Sequence, residues 1–583
     1  MDTLRETSYG TVRGVEADGL FVFRGIPFAR PPAGRLRFRP PEPPPPWTGV
    51  RAASRFGPAA PQNVTVLGPL FRLGTPRTGE DCLYLNVWTP GLDGGRRPVL
   101  VWIHGGAFIL GAGSQPLYDG SALARRGDVV VVTINYRLGA LGFLHLKERC
   151  GERIPATGNE GILDQIAALQ WVRDEIAAFG GDPANVTIFG ESAGAMSCAT
   201  LLGTPRARGL FDRAILQSGS ANYVSCREDA ARIAEALLAD RSLDPASADD
   251  LLAAAADRIL QAQQRLFLAL VLGGQHLLAT LSPRQQRLAA GLFMMLSLPR
   301  RRLKRTGAYL YGRLVEVLKW RRGRGARRSL ESPAAALAGL RSRGLPFQPV
   351  VDGDVLPRHP FDAIRDGLSG HVPVLVGTNL DEAKLFTFAD PEVRALDEAE
   401  LIARCREALA STGLDGSDAA RRATEVYRQA RAARGENIEP SELWLAIESD
   451  RTMRYPAMRL AELQRDHQPR TYAYLFTWPS PLMGGLFGAC HALELPFVFG
   501  TLHQPLVGRI VGAGSEAQAL AYRIQDAWIA FARSGDPSHP GIGDWPAYDR
   551  TRRATMILDR RCRVEEAPRE AERAFWASLD AGG

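Results

Sequence analysis

"VTIFGESAGAMS", residues 186–197, runs from β-branched residues through a serine flanked by small side chains into a helix-forming stretch. Val186, Thr187 and Ile188 favour an extended strand, whereas "AMSCATLL" from Ala195 reads as helix. The chain must therefore turn sharply at Ser192, between Gly190 and Gly194. In a G-x-S-x-G turn the serine takes a strained backbone conformation that lifts its hydroxyl above the sheet edge, and the glycines let neighbouring backbone pass close by. The helix that follows aims its amino terminus at the serine, so backbone N–H groups face a developing negative charge. The pentapeptide alone arises often by chance and is compatible with an ordinary tight turn. A strand before it and a helix after it are the context that makes Ser192 a candidate nucleophile.

Working outward, "RPVLVWIHGG" (97–106) and "DVVVVTINYRLG" (128–139) are short, rich in Val and Ile, and apolar on both faces, as strands buried within a mostly parallel sheet should be. Between residues 159 and 182 lies a helix with Ile166, Leu169, Trp171 and Ile176 near helical spacing, stopped by Gly180 and Gly181. "NVTIFG" (185–190), "RAILQSG" (213–219), "VPVLVGTN" (372–379) and "TYAYLFTW" (471–478) are further strand-like runs, most followed by helical sequence. This order predicts an α/β fold with a large, mostly parallel central sheet flanked by helices. The proline-rich stretch 31–47 suits neither helix nor central strand and is expected to wrap the body as an extended surface segment.

A serine hydroxyl is a poor nucleophile at neutral pH and needs a histidine base and an acid that orients it. Beyond Ser192 the histidines are 276, 359, 371, 467, 491, 503 and 539. His467 and His539 sit in polar, loop-like sequence. His491, in "FGACHALELPFVFG", follows a strand by a loop of small residues, a place from which a side chain can project into a cleft; His503 ranks second. For the acid, "VLVGTNLDEAKLF" puts Asp381 and Glu382 just past a strand's carboxyl end, where ligands meet open α/β sheets. A solvated helix start would also place acids there, and pattern does not choose between the two neighbours. In "WIHGGAF" (102–108), glycines after a strand let backbone N–H groups face a ligand. The N–H groups of Gly106, Ala107 and Ala193 are the expected oxyanion donors.

The composition is that of a globular chain: 45% of 583 residues are hydrophobic, enough for a large core. The net charge of +8 is unevenly spread, for sixteen Lys and Arg against three Asp and Glu fall between residues 256 and 331. That segment carries +13 and the remainder −5, so the body is mildly acidic and offers no nucleic-acid-binding motif. Its apolar runs fall short of the roughly 20 residues a spanning helix needs. The amino terminus shows no basic stretch leading into an apolar one, so a cytoplasmic location is expected. Seven cysteines without CxxC or metal-ligand spacing predict neither a disulfide framework nor a metal site.

The blocks "FRGIPFARPPAGRLRF", "EDCLYLNVW", "WIHGGAF", "NYRLGALGFL", "GNEGILDQ", "FGESAGA", "LQSGS" and "GTNLDEAKLF" together resemble the type-B carboxylesterases, the family of bacterial p-nitrobenzyl esterases, animal carboxylesterases and cholinesterases. The resemblance runs from near the start to near the end and is interrupted by the basic segment. It implies the α/β-hydrolase fold as one domain over 1–583, with an apolar and basic helical insertion at about 256–331. It implies a serine esterase acting on small-molecule esters without metal or organic cofactor, in which Ser192 forms the acyl-enzyme, His491 is base and then acid, and Glu382 rather than Asp381 is the carboxylate. Gly106, Ala107 and Ala193 become the oxyanion donors. Glu191 and Ser218 match positions that support the histidine in the family, although packing or capping would explain them as well.

Two departures narrow the inference. Ala60 stands where the family's first disulfide has a cysteine, leaving Cys82 without that partner, in keeping with a reducing compartment. No tryptophan lies between Pro61 and Glu80, where cholinesterases carry the one that binds quaternary ammonium, so choline esters lose their cation–π partner. The insertion reads either as a partner-docking helical arm or, through residues 262–328, as a peripheral membrane contact. Competing functions are a lipase working at a lipid interface and a non-catalytic adhesion relative; nothing in the chain signals its oligomeric state.

Overall fold

In the computed structural model the described residues are 3–63, 77–240, 243, 247–271, 345–388, 390–410, 416–504 and 506–580. The apolar runs form an eleven-stranded sheet. Its strands, in chain order, are β1 Val15–Ala17, β2 Leu20–Pro27, β3 Tyr84–Thr89, β4 Arg97–Ile103, β5 Val130–Ile134, β6 Gly181–Glu191, β7 Arg213–Gln217, β8 Val374–Asn379, β9 Thr471–Phe476, β10 Thr555–Leu558 and β11 Arg563–Glu565. The spatial order is β1-β2-β3-β5-β4-β6-β7-β8-β9-β10-β11. Every pairing from β5 to β10 is parallel. The pairings at both edges are antiparallel. The expected parallel sheet is thus its centre, and the whole is mixed.

Two-faced burial explains why these strands are apolar throughout rather than alternating. Val99, Val101, Ile103, Val186, Ile188 and Leu216 pack on one face with α1 (Glu160–Glu175) and α2 (Ala193–Leu202). Their sequence neighbours Leu100, Trp102, Phe189 and Ile215 pack on the other with α3 (Ser515–Ser534). At roughly 1.5–3 kcal/mol for each large apolar side chain buried, a polar residue on either face would be costly. Ile166, Leu169, Trp171 and Ile176 are buried as the spacing predicted. Gly180, with φ +79, ends the short 3-10 turn that follows α1. A third cluster, built from residues 393–447 and the carboxyl-terminal helix Glu570–Asp580, forms a separate core.

The proline-rich segment has no regular element beyond the 3-10 turn Gly34–Leu36. It is fastened by buried Phe38 and by Trp47, whose Nε1 donates to Thr11 O at 3.0 Å. The beginning of the expected insertion behaves differently from expectation. Residues 256–271 form a helix of the body, with Ile259, Leu260, Ala262, Gln263 and Leu266 buried. Gln263 Oε1 accepts from Ala140 N at 2.8 Å and its Nε2 donates to Asn63 Oδ1 at 3.2 Å. An amphipathic face anchored in this way packs against the core. Residues 272–331, and with them most of the 262–328 membrane-contact reading, lie outside the described residues. Among the described residues no helix is long and apolar enough to cross a membrane.

Parallel register brings strand ends together. Gln217 of β7 pairs with Glu191 of β6 and with Gly377 of β8, so the carboxyl ends of β4, β6, β7 and β8 share one rim.

Candidate active site

β6 delivers Ser192 to that rim. Its φ of 56° and ψ of −125° lie in a region that non-glycine residues avoid, and strain of this kind persists only where the surroundings over-determine it. They do so here: Ser192 N donates to Gln217 O at 2.9 Å, and Met196 N returns to Ser192 O at 2.9 Å as α2 begins. A Cβ on Gly194 would sit 2.0 Å from Ile103 O, so only glycine lets the helix start this close to β4. Ser192 is partly exposed, and its hydroxyl makes no hydrogen bond among the described residues.

The loop after β4 faces the elbow. A Cβ on Gly105 would lie 3.1 Å from Ser192 Cβ, which fixes how near the two turns are. Gly106, Ala107 and Phe108 have φ of 113°, 53° and 59° in succession. Gly106 O receives Ile109 N at 3.0 Å and Leu110 N at 3.1 Å, and Phe108 O receives Gly139 N at 2.7 Å, so the carbonyls are turned into the body. The N–H groups of Gly106, Ala107 and Ala193 have no acceptor among the described residues. His104 anchors the loop: its ring stacks on Tyr136 with centroids 4.5 Å apart, and Tyr136 Oη donates to His104 O at 2.8 Å. Burial depresses its pKa to about 4, so it is a neutral structural group.

His491 projects from the loop after β9. Its Nδ1 lies 2.6 Å from Glu382 Oε2, and Glu382 Oε1 accepts from Asn379 N at 2.7 Å. Asp381 turns away instead: its Oδ2 accepts from Ala489 N at 2.9 Å and its Oδ1 is 3.1 Å from Lys384 Nζ. The structure thus separates the two neighbours that pattern left open. His503 is exposed, and among the described residues its ring meets Gly500 O at 3.3 Å.

The other ring nitrogen does not make the expected bond to Ser192. His491 Nε2 lies 3.0 Å from Glu191 Oε1, a close ionic contact without the alignment of a hydrogen bond. Glu191 therefore touches the imidazole directly. Ser218 Oγ is buried and has no hydrogen-bond partner among the described residues. It takes φ 52° at the turn where Gly219 passes beneath Ser192, and that turn is its contribution. Burial alone would hold His491 neutral, but Glu191 and then Glu382 outweigh it and lift its pKa well above the ordinary histidine value.

Besides Asn379, three residues near the imidazole and the acid loop escape the sequence reading. Glu494, three residues after His491 in "HALE", is buried, with Gln217 Nε2 donating to Oε1 at 3.0 Å and Asn379 Nδ2 to Oε2 at 2.6 Å. Burial, then the Glu191 and Glu382 charges, push its pKa up to about 8. Ser449 Oγ accepts from Ala383 N at 3.0 Å, holding the acid loop. Phe386, 58% exposed, lies against His491 with ring centroids 5.0 Å apart. Among the described residues no three His, Cys, Asp or Glu side chains converge as a metal cluster.

A strained serine at the end of a parallel strand, with an imidazole already held by a carboxylate beside it, is the arrangement of the α/β-hydrolases. The comparisons agree. The chain matches the carboxylesterase family over residues 1–271 and 311–576, and it belongs to that family. It is 36% identical over 569 residues to the para-nitrobenzyl esterase of Bacillus subtilis, covering 97% of each chain. It is 34% identical to the phenmedipham hydrolase of Pseudarthrobacter oxydans, covering 95% of this chain and 94% of that one. Among solved structures, a Geobacillus stearothermophilus carboxylesterase superposes with a TM-score of 0.76 at 38% identity, covering 98% of this chain and all of that one. The protein is a carboxylic-ester hydrolase of the α/β-hydrolase fold. The lipase and adhesion readings find no support in these relatives.

Proposed function

We propose that Ser192, His491 and Glu382 cleave small-molecule carboxylic esters through an acyl-enzyme, with Gly106, Ala107 and Ala193 as oxyanion donors. Ser192 Oγ attacks the carbonyl carbon and its proton passes to His491 Nε2, while the carbonyl oxygen takes the charge and is met by the backbone N–H groups. Collapse breaks the ester C–O bond, and the imidazolium protonates the departing alcohol. Water then attacks the acyl-enzyme, giving its proton to His491, and the acid leaves as Ser192 regains a proton.

The observation that carries this reading is the buried 2.6 Å contact between Glu382 and His491 Nδ1, which fixes the ring with Nε2 toward the elbow. In the resting geometry that nitrogen rests on Glu191, the residue before Ser192. Proton transfer requires that nitrogen to turn to the Ser192 hydroxyl, and catalytic hydrogen bonds of this kind tighten when substrate binds. Phe386 beside the imidazole, together with the named activity of the Bacillus relative, supports esters with aromatic alcohols. The seven free thiols suit a reducing, cytoplasmic setting. The test is p-nitrophenyl ester turnover with a stopped-flow burst. The wild type should release one equivalent of p-nitrophenol per site in the burst, and Ser192→Ala should show neither burst nor turnover. Full turnover by Ser192→Ala would refute the assignment.

A further inference from the structure

His491 and Glu382 arrive from loops separated by more than a hundred residues, and a 2.6 Å contact between them requires the loops to be tied. The tie runs through the last residue of β8. Asn379 N donates to Glu382 Oε1 at 2.7 Å, fixing the acid from behind. The same residue's Nδ2 donates to Cys490 O at 2.8 Å and to Glu494 Oε2 at 2.6 Å, the residue immediately before His491 and the one three after it. The imidazole is therefore bracketed on both sides by bonds from one amide. Glu494 is held in turn by Gln217 Nε2 at 3.0 Å, and Gln217 is oriented by Trp528 Nε1, which donates to its Oε1 at 3.1 Å. A continuous chain thus links helix α3, the end of β7, the His491 loop and the acid loop.

The composition of this chain argues against simple packing. Glu191, Glu382 and Glu494 are three carboxylates, each at most 3% exposed, gathered around one imidazole. Burying a carboxylate without donors is strongly unfavourable, and an apolar residue at 494 would fill the space without that penalty. Its retention makes sense if its two oxygens serve as anchor points. The groups that face Glu494 include Glu191 from β6, Glu382 from the acid loop, Gln217 from β7, Asn379 from β8, and Tyr118, Tyr474 and Cys490.

We propose that the Asn379–Glu494 hydrogen bond is a clamp that holds the His491 loop against the Glu382 loop, making Asn379 and Glu494 positioning residues for proton transfer. The proposal rests on the triad reading above. A misplacement of about 1 Å at a catalytic pair costs on the order of 10²-fold, which sets the scale of the expected effect.

The experiment compares Asn379→Leu, Glu494→Met, their double variant and Glu494→Gln in the full-length enzyme. Rates are normalised to sites counted by stoichiometric phosphonylation with a p-nitrophenyl phosphonate. The clamp predicts that Asn379→Leu lowers kcat per titrated site about 10- to 100-fold with KM within about 2-fold. It predicts that Glu494→Met does the same and that the double variant is no worse than the weaker single, since both remove one interaction. Glu494→Gln, which keeps an acceptor for Asn379, should recover most of the kcat lost in Glu494→Met. A purely structural role would lower the number of titratable sites and the melting temperature while leaving kcat per site intact, and that result would overturn the proposal. So would losses that multiply in the double variant. If Asn379→Leu does not fold, the Glu494 pair decides alone: equal kcat per site in Glu494→Met and wild type ends the idea. Ser192→Ala in the same assay keeps the two readings apart, because its inactivity alongside a fully active Asn379→Leu would remove the clamp and leave the triad standing.

Discussion

Ser192 and the donors at Gly106, Ala107 and Ala193 are set by main chain: positive φ values, inward-turned carbonyls and a helix that starts against β4. His491 is set by side chains: Glu191 at the elbow, Asn379 and Glu382 at the end of β8, and Glu494 of its own loop. The first half contains nothing that titrates near neutrality. The second holds the His491 imidazole, its pKa lifted well above the ordinary value, and Glu494, pushed up to about 8, so its charge state changes with pH. The contrast implies a division of labour in which the backbone half determines how well the tetrahedral intermediate is stabilised and the side-chain half determines over what pH range the enzyme works.

Variants of the two halves should differ in size and in kind. The largest loss belongs to Ser192→Ala, expected to lower turnover by roughly 10⁴ to 10⁶ at every pH; steady-state ester hydrolysis measures it, and a merely partial loss would mean another nucleophile. Glu382→Gln comes next, at roughly 10³ to 10⁴ in kcat. The amide still fills the space but no longer balances an imidazolium at Nδ1, so the deficit should appear in kcat with KM nearly unchanged. On the backbone side, Gly106→Ala should cost roughly 10² to 10³. Its Cβ would fall 2.2 Å from Leu110 O at a φ of +113°, so the donor must move. Because amides do not titrate, the shape of its pH profile should match the wild type, and a shifted profile would show that the halves are not separable in this way.

The same contrast explains what could be read from the chain. Ser192 and Gly106 lie in contiguous motifs whose strand, turn and helix are local, so pattern and geometry coincide. Asp381 and Glu382 are adjacent at a strand end, and no periodicity distinguishes them; only the fold turns one carboxylate to Nδ1 and the other to Ala489 N. Asn379 and Glu494 gave no signal because each looks like an ordinary polar residue at the end of a strand or the start of a helix. Their meaning comes from register, with β7 and β8 ending at one rim. The edge strands β1, β10 and β11 are only three or four residues long, too short for a period to declare itself. The helix 256–271 packs on the body, and apolar residues at helical spacing look the same in sequence whether a helix leaves the body or packs on it.

The smallest effect is also the one that bears most directly on the pH argument. Glu191 lies 3.0 Å from His491 Nε2 and, with Glu382, raises the imidazole pKa well above its ordinary value against the opposing effect of burial. General-base catalysis needs the neutral ring, so kcat/KM should be low in acid and rise with pH through that elevated pKa. Glu191→Gln removes one negative charge from the ring while keeping the side chain's size. The imidazolium then loses stabilisation, its pKa falls, and the acid limb of kcat/KM moves to lower pH. The plateau at alkaline pH should change by less than about 10-fold, since the residue donates nothing to the reacting atoms. Relative to its own plateau, the variant should therefore outperform the wild type in mildly acidic buffer. The measurement is a kcat/KM profile for a p-nitrophenyl ester whose leaving group is followed at its isosbestic point. An acid limb that stays in place would mean that Glu191 does not govern the imidazole's charge, and the pH range would then have to be set by Glu382 alone.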